Sequence, residues 1–112
     1  MPQPERRRAP RAETNLLVSY REDKSAPSSA GFVRALNLSE TGMLLETPDR
    51  FNPGEVFAFR VLLDFDHVAE VEGKIAWFDR QDQGLNIAGI EFSNPSGAQK
   101  KIIRDQVAKY LD

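Results

Sequence analysis

Apolar and polar positions alternate with period two along much of the chain between residues 14 and 92, the pattern of half-buried strands. Leu16, Val18 and Tyr20 alternate with less apolar neighbours and predict a first strand over residues 14–20. Residues 32–38 predict a second strand and residues 42–47 a short third. Asn52-Pro53-Gly54 is a strong turn signal. Beyond it, residues 55–63 and 68–79 are rich in Val, Phe, Ile and Trp and predict two longer strands, joined as a hairpin by Asp64-Phe65-Asp66-His67. A polar turn over residues 79–84 leads into a sixth strand over residues 85–92. The period then changes. Ile103, Val107, Tyr110 and Leu111 fall at i, i+4, i+7 and i+8 on one helical face. Asn94 suits a helix N-cap and Pro95 a first helical position, so the helix is predicted over about residues 95–111, with Gly97 weakening its first turn so that the stable part begins near Ala98.

Six short strands separated by turn chemistry, with no helices between them, predict a mainly all-β fold: a six-stranded antiparallel barrel or sandwich. The helix stripe is expected to seal one end of it. Residues 1–12 contain Pro2, Pro4 and Pro10 and almost no apolar side chains, and are predicted to form a flexible N-terminal arm. Residues 23–31 read as a flexible loop. Residues 13–112 then make a single domain, and a chain of 112 residues has room for little else. The interior of so small a domain is consumed by packing, so a surface site is expected in place of a deep enzymatic cleft.

Composition narrows the function classes. A hydrophobic fraction of 40% with 29% charged residues is ordinary for a folded globular protein. The absence of cysteine excludes disulfide frameworks, thiolate nucleophiles and cysteine-based zinc sites, and fits a reducing compartment. The first residues lack the apolar core of a signal peptide, and no apolar run approaches the roughly 20 residues that span a bilayer. A cytoplasmic protein without membrane insertion is the expectation. The net charge of -2 hides an asymmetry: Arg6, Arg7, Arg8 and Arg11 cluster with no acid among them, while the rest of the chain is acidic on balance. A basic arm on an acidic body points to an anionic partner for the arm, and argues against the broad basic surface that DNA or RNA binding needs.

Two constellations carry chemistry. In Arg7-Arg8-Ala9-Pro10-Arg11 only Arg7 has a second arginine four positions on, so the register of an Arg-x-x-x-Arg pair is unambiguous. Pro10 biases Ala9 away from helical backbone, and in extended chain the two Cα atoms lie roughly 13 Å apart at about 3.3 Å per residue. That span suits a ligand of dinucleotide size. The second constellation is Asn37-Leu38-Ser39-Glu40-Thr41-Gly42, between the second and third strands. Asn and Ser side chains hold turns through backbone hydrogen bonds, and Gly42 allows positive φ or close approach of a ligand. Leu38 should point into the core.

An Arg-x-x-x-Arg arm followed by a strand, a loop and Asp/Asn-x-Ser-x-x-Gly resembles the signature of PilZ domains. Gly73-Lys74-Ile75-Ala76-Trp77 resembles the family's later strand, and Ala88-Gly89-Ile90-Glu91-Phe92 its last, with a helix following. The resemblance covers roughly residues 5–111. It implies a PilZ-type barrel and cyclic di-GMP as ligand, with no further cofactor. Arg7 and Arg11 would bind phosphate bidentately, address guanine O6 and N7 or stack on purine faces. Asn37 and Ser39 would contact guanine edges or phosphate, and Gly42 would shape the turn. The family often carries Asp at the first of these positions; Asn37 lacks the charge that would accept from guanine N1–H and N2–H.

Arg6, Arg8 and Trp77 are secondary candidates: the arginines for electrostatic attraction, the indole for stacking, although barrel packing is the stronger expectation for Trp77. His67 with Asp64 and Asp66 crowds one hairpin turn without a second ligand cluster, so no metal is expected. No nucleophile–base arrangement, glycine-rich phosphate loop or acid/base pair indicates an enzyme. The predicted role is a receptor whose arm orders on ligand binding and signals to a downstream protein. The alternative is a PilZ-like interaction adaptor that binds no nucleotide.

Overall fold

Inward-facing apolar side chains from every strand meet in one core, and the pairing of the strands closes it into a barrel. The computed structural model of the chain describes residues 12–21, 33–64, 66–81 and 84–111. Arg6, Arg7, Arg8 and Arg11, with the rest of the predicted arm up to residue 11, and the predicted loop over residues 23–31 lie outside them. The elements are β1 (Ala12–Arg21), β2 (Val33–Ser39), β3 (Gly42–Thr47), β4 (Val56–Leu62), β5 (Val68–Arg80), β6 (Asn86–Phe92) and α1 (Gly97–Leu111). Every strand pair is antiparallel, in the closed order β1-β2-β3-β6-β5-β4, with β4 returning to β1.

Alternation sets the inside. Phe57, Phe59 and Val61 of β4, Val71, Gly73 and Ile75 of β5, and Met43 and Leu45 of β3 are buried, while the residues between them face out or lie half-buried. Tyr20, Phe51, Phe57 and Phe59 form a mostly edge-on aromatic cluster with ring centroids 5.0–6.2 Å apart. Each fully buried side chain of this size contributes about 1.5–3 kcal/mol. The interior of so narrow a barrel is filled by side chains, leaving the outer wall and the ends for a ligand.

Three β-bulges break the alternation, in β1 between Glu13 and Leu16, in β2 between Ala35 and Asn37, and in β5 between Ile75 and Trp77. Each inserts an unpaired residue and shifts the later residues of its strand to the opposite face. Ala35 is buried, and strict alternation would bury Asn37 with it. The extra residue Leu36 leaves Asn37 half-buried and sends Leu38 fully inside, as the sequence predicts for Leu38.

The helix begins at Gly97, beside the Ala98 expected for its stable part, but with a different cap. Asn94 is not the cap: it sits in left-handed backbone at φ 45° and turns the chain out of β6. Asparagine tolerates that conformation better than most residues. Ser96 caps instead: its Oγ accepts from Gln99 N at 3.1 Å, and Gln99 Oε1 accepts from Ser96 N at 2.8 Å, a reciprocal capping box. Ile103 and Val107 bury against the barrel, and Gln106, also buried, donates to Leu63 O at 2.9 Å. The side chains of Tyr110 and Leu111, the last two positions of the predicted stripe, lie outside the described ones.

α1 packs on β1, β2 and β5. It ties to the β2–β3 turn through Arg104 Nε and Glu40 Oε2 at 2.9 Å, and to the β4–β5 hairpin through Lys109 Nζ and Asp64 Oδ2 at 3.8 Å. The hairpin is closed by Asp64, whose carboxylate bonds His67 Nδ1 at 2.7 Å and accepts from Asp66 N at 2.9 Å. The His67 hydrogen bond, and then the Asp66 N–H, hold the Asp64 carboxyl below its ordinary range. Antiparallel order therefore gathers the start of β1, both turns, the end of β6 and the helix at one end of the barrel.

Candidate ligand-binding site

The β2–β3 turn is organised by Ser39. Its buried Oγ accepts from the backbone N–H of Thr41 and of Gly42, each at 3.2 Å, lies 3.3 Å from Gly42 O, and is 3.0 Å from Thr41 Oγ1. A serine hydroxyl offers one donor and two acceptor positions, and here the turn engages them all. Holding the hairpin is thus the part the geometry gives Ser39. Gly42 serves close approach of the β6 backbone: its φ is not positive, and a Cβ there would drive into the carbonyl oxygen of Ile90. Phe92 N donates to Thr41 O at 2.9 Å, fastening the turn to the same strand.

β6 lies between β3 and β5 and carries the turn's surroundings across the wall. Two rows of paired residues run outward from the motif. Gly42 pairs with Glu91, which pairs with Lys74; Leu44 pairs with Gly89, which pairs with Trp77. In the second row the middle position has no side chain, and the Trp77 indole fills that space: a Cβ on Gly89 would collide with its Nε1, Cε2 and Cδ1. Alternation alone would place Trp77 beside Ile75 in the core. The β5 bulge turns it out, 46% exposed.

Above these rows lies a groove of about 530 Å³ lined by Thr41, Leu44, Trp77, Gly89, Glu91 and Lys100, among others. Asn94 and Pro95, from the connection into α1, border it with Lys100. Asn37 pairs with Leu44 on one side and with Glu13 on the other, so it sits at the groove's margin next to the start of β1. The structure thus brings Asn37, Ser39, Gly42 and Trp77 to one wall and one end of the barrel. Leu44, Gly89, Glu91 and Lys100 join them without having been singled out from the sequence. Outward alternation on β6 marks Gly89 and Glu91, but only the β3–β6 pairing, between strands far apart in the chain, shows that they face the motif. Among the described residues, no group of three or more His, Asp or Glu side chains could hold a metal ion, and no helix is long and apolar enough to cross a membrane.

A closed six-stranded barrel with a filled interior, a helix across one end and a groove on the wall beside an Asn-x-Ser-x-x-Gly hairpin defines a small β-barrel domain with a candidate ligand site on its wall. The chain matches the PilZ domain family over residues 5–109 and belongs to that family. Its fold is similar to the inhibitor of motility MotI/DgrA of Bacillus subtilis, with a TM-score of 0.77 at 16% identity, covering 96% of this chain and 52% of that one. It is also similar to the PilZ domain of YcgR from Escherichia coli, solved with c-di-GMP, with a TM-score of 0.74 at 15% identity over 96% of this chain and 92% of that domain. The K. pneumonia MrkH–c-di-GMP complex gives a TM-score of 0.69 at 13% identity, over 96% of this chain and 51% of that one. The chain therefore spans about half the length of MotI and of MrkH, and nearly all of the isolated YcgR domain. No curated protein is matched in sequence.

Proposed function

We propose that the chain is a receptor for cyclic di-GMP, seated at the barrel end where β1 begins and the Asn37–Gly42 hairpin turns. Arg7 and Arg11 supply charge-assisted, bidentate contacts to phosphate and guanine, with Arg6 and Arg8 adding attraction. Asn37 contributes a polar edge, Ser39 and Gly42 hold the platform, and the Trp77 indole offers a stacking face. The observation that carries the reading is the register of β1. Ala12 pairs with Leu38 and Glu13 with Asn37, so the strand starts against the motif, and Arg11 is the residue bonded to Ala12. Family membership, and the c-di-GMP named with the YcgR and MrkH structures, support the same ligand.

The role assigned is binding, not catalysis. Ligand orders residues 1–11 over the wall, and the covered surface signals to a downstream protein in the cytoplasm. Fixing each backbone residue costs about 1–2 kcal/mol, which several charge-assisted contacts must offset, and Pro10 lowers that cost by restricting the free arm. The acidic balance outside the arginine cluster supports a protein and not DNA or RNA as that partner.

Calorimetric titration of cyclic di-GMP into the wild type and an Arg7→Ala variant tests this. Binding is expected, weakened more than tenfold by the substitution, since losing a charge-assisted contact costs about 1.5–3 kcal/mol. No heat from the wild type would favour the adaptor that binds no nucleotide. Equal affinities would show that the arm is not part of the site.

A further inference from the structure

Charges on this end of the barrel are largely paired among themselves. Arg104 meets Glu40, Lys101 meets Asp105 at 2.9 Å, and Lys109 meets Asp64. Two groove residues stand apart. Among the described residues, Glu91 and Lys100 make no ion pair and no side-chain hydrogen bond, with each other or with any neighbour. Lys74 stands directly opposite Glu91 in the β5–β6 ladder and still does not engage it. The groove thus presents one unengaged carboxylate on its β6 wall and one unengaged ammonium on its helix side.

Position gives the carboxylate a specific view. Glu91 pairs with Gly42, where the β3 and β6 backbones approach closely, so it stands on the groove wall directly beside the hairpin motif. A carboxylate is an acceptor-only group that can take two parallel N–H donors. Guanine offers such a pair on one edge, N1–H and N2–H. Adenine presents an acceptor nitrogen at position 1 and a single amino donor, so a carboxylate facing that edge meets a lone pair. Polar groups left unmatched in this way discriminate far more strongly than a difference in apolar size. The same negative charge repels phosphate, so a dinucleotide is held with a base edge toward β6 and a phosphate toward Lys100.

We infer that Glu91 reads the Watson–Crick edge of one guanine and sets the preference for guanine over adenine, while Lys100 orients the ligand by drawing a phosphate to the helix side. This role rests on the chain being a cyclic di-GMP receptor. It also assigns to β6 the negative acceptor that Asn37 lacks at the first motif position.

The experiment is calorimetric titration of cyclic di-GMP and cyclic di-AMP, separately, into the wild type and E91Q. Glu91 is exposed on the outer wall, and a matched thermal melt of the two proteins checks that the barrel is intact. The wild type should prefer cyclic di-GMP by at least a hundredfold. E91Q should lose at least tenfold in affinity for cyclic di-GMP and gain or hold affinity for cyclic di-AMP, narrowing the preference. A wild type that prefers guanine, with E91Q keeping both affinity and preference, overturns the role of Glu91 and leaves the receptor standing. A wild type that binds both ligands equally also overturns it. A wild type that binds neither ligand overturns the receptor reading and this inference together.

Discussion

Gly42 and Gly89 face the same groove, and each excludes a side chain for a different reason. At Gly42 the obstacle is backbone, the carbonyl of Ile90, which cannot withdraw without disturbing the β3–β6 ladder. At Gly89 the obstacle is the Trp77 indole, an exposed side chain able to rotate away. Gly42→Ala should therefore destabilise the fold by about 1–3 kcal/mol, the usual cost of overpacking. Gly89→Ala should cost under about 1 kcal/mol but move the emission of Trp77, the chain's only tryptophan. Urea unfolding followed by fluorescence measures both quantities on each variant. Equal losses of stability would mean that the indole is as fixed as the backbone. The sequence marked Gly42 as special but not why, because its constraint comes from β6, nearly fifty residues away in the chain.

The strands were legible because alternation of apolar and polar positions is a local property, and all six elements fall within a few residues of where the pattern puts them. The features that stayed hidden depended on pairing. A bulge is one extra residue against a partner strand, so the insertions at Leu36 and Ala76 leave no mark in the sequence. They nevertheless decide that Asn37 and Trp77 face outward. The non-sequential β3–β6 ladder was equally invisible, and with it Glu91. At the helix start Ser96 caps in place of the expected Asn94, because Gln99 three positions on completes a capping box. Ser96→Ala should accordingly cost about 1 kcal/mol of stability. Arg104→Ala, which removes a pair whose arginine is 61% exposed, should cost less than that. Thermal melts of the two variants under one buffer give the ranking, and a larger loss for Arg104→Ala would mean that the tie between helix and turn matters more than the cap.

At the scale of the molecule, stability and ligand capture are assigned to separate parts of the chain. Among the described residues, the β1–β2 ladder runs from Ala12 to Val18 and the closing β1–β4 ladder from Val18 to Arg21. Removing residues 1–11 takes away none of the described ladder pairs and none of the described core. Changes away from such features usually fall within about 0.5 kcal/mol, and 1 kcal/mol shifts Tm by roughly 4–8 °C in a domain near this size. The truncated chain should thus melt within about 4 °C of the full one. Ligand should separate them. At a free concentration of about 100 times Kd, a ligand that binds only the folded state adds about 2.7 kcal/mol. The full chain should then melt about 10 °C or more higher with cyclic di-GMP, whereas the truncated chain, without Arg7 and Arg11, should not respond. A truncated chain that melts far below the full one would make the first eleven residues part of the fold. One that still rises with ligand would move the affinity to the groove alone, to Glu91, Lys100 and Trp77, and would leave the arginines a lesser part in capture.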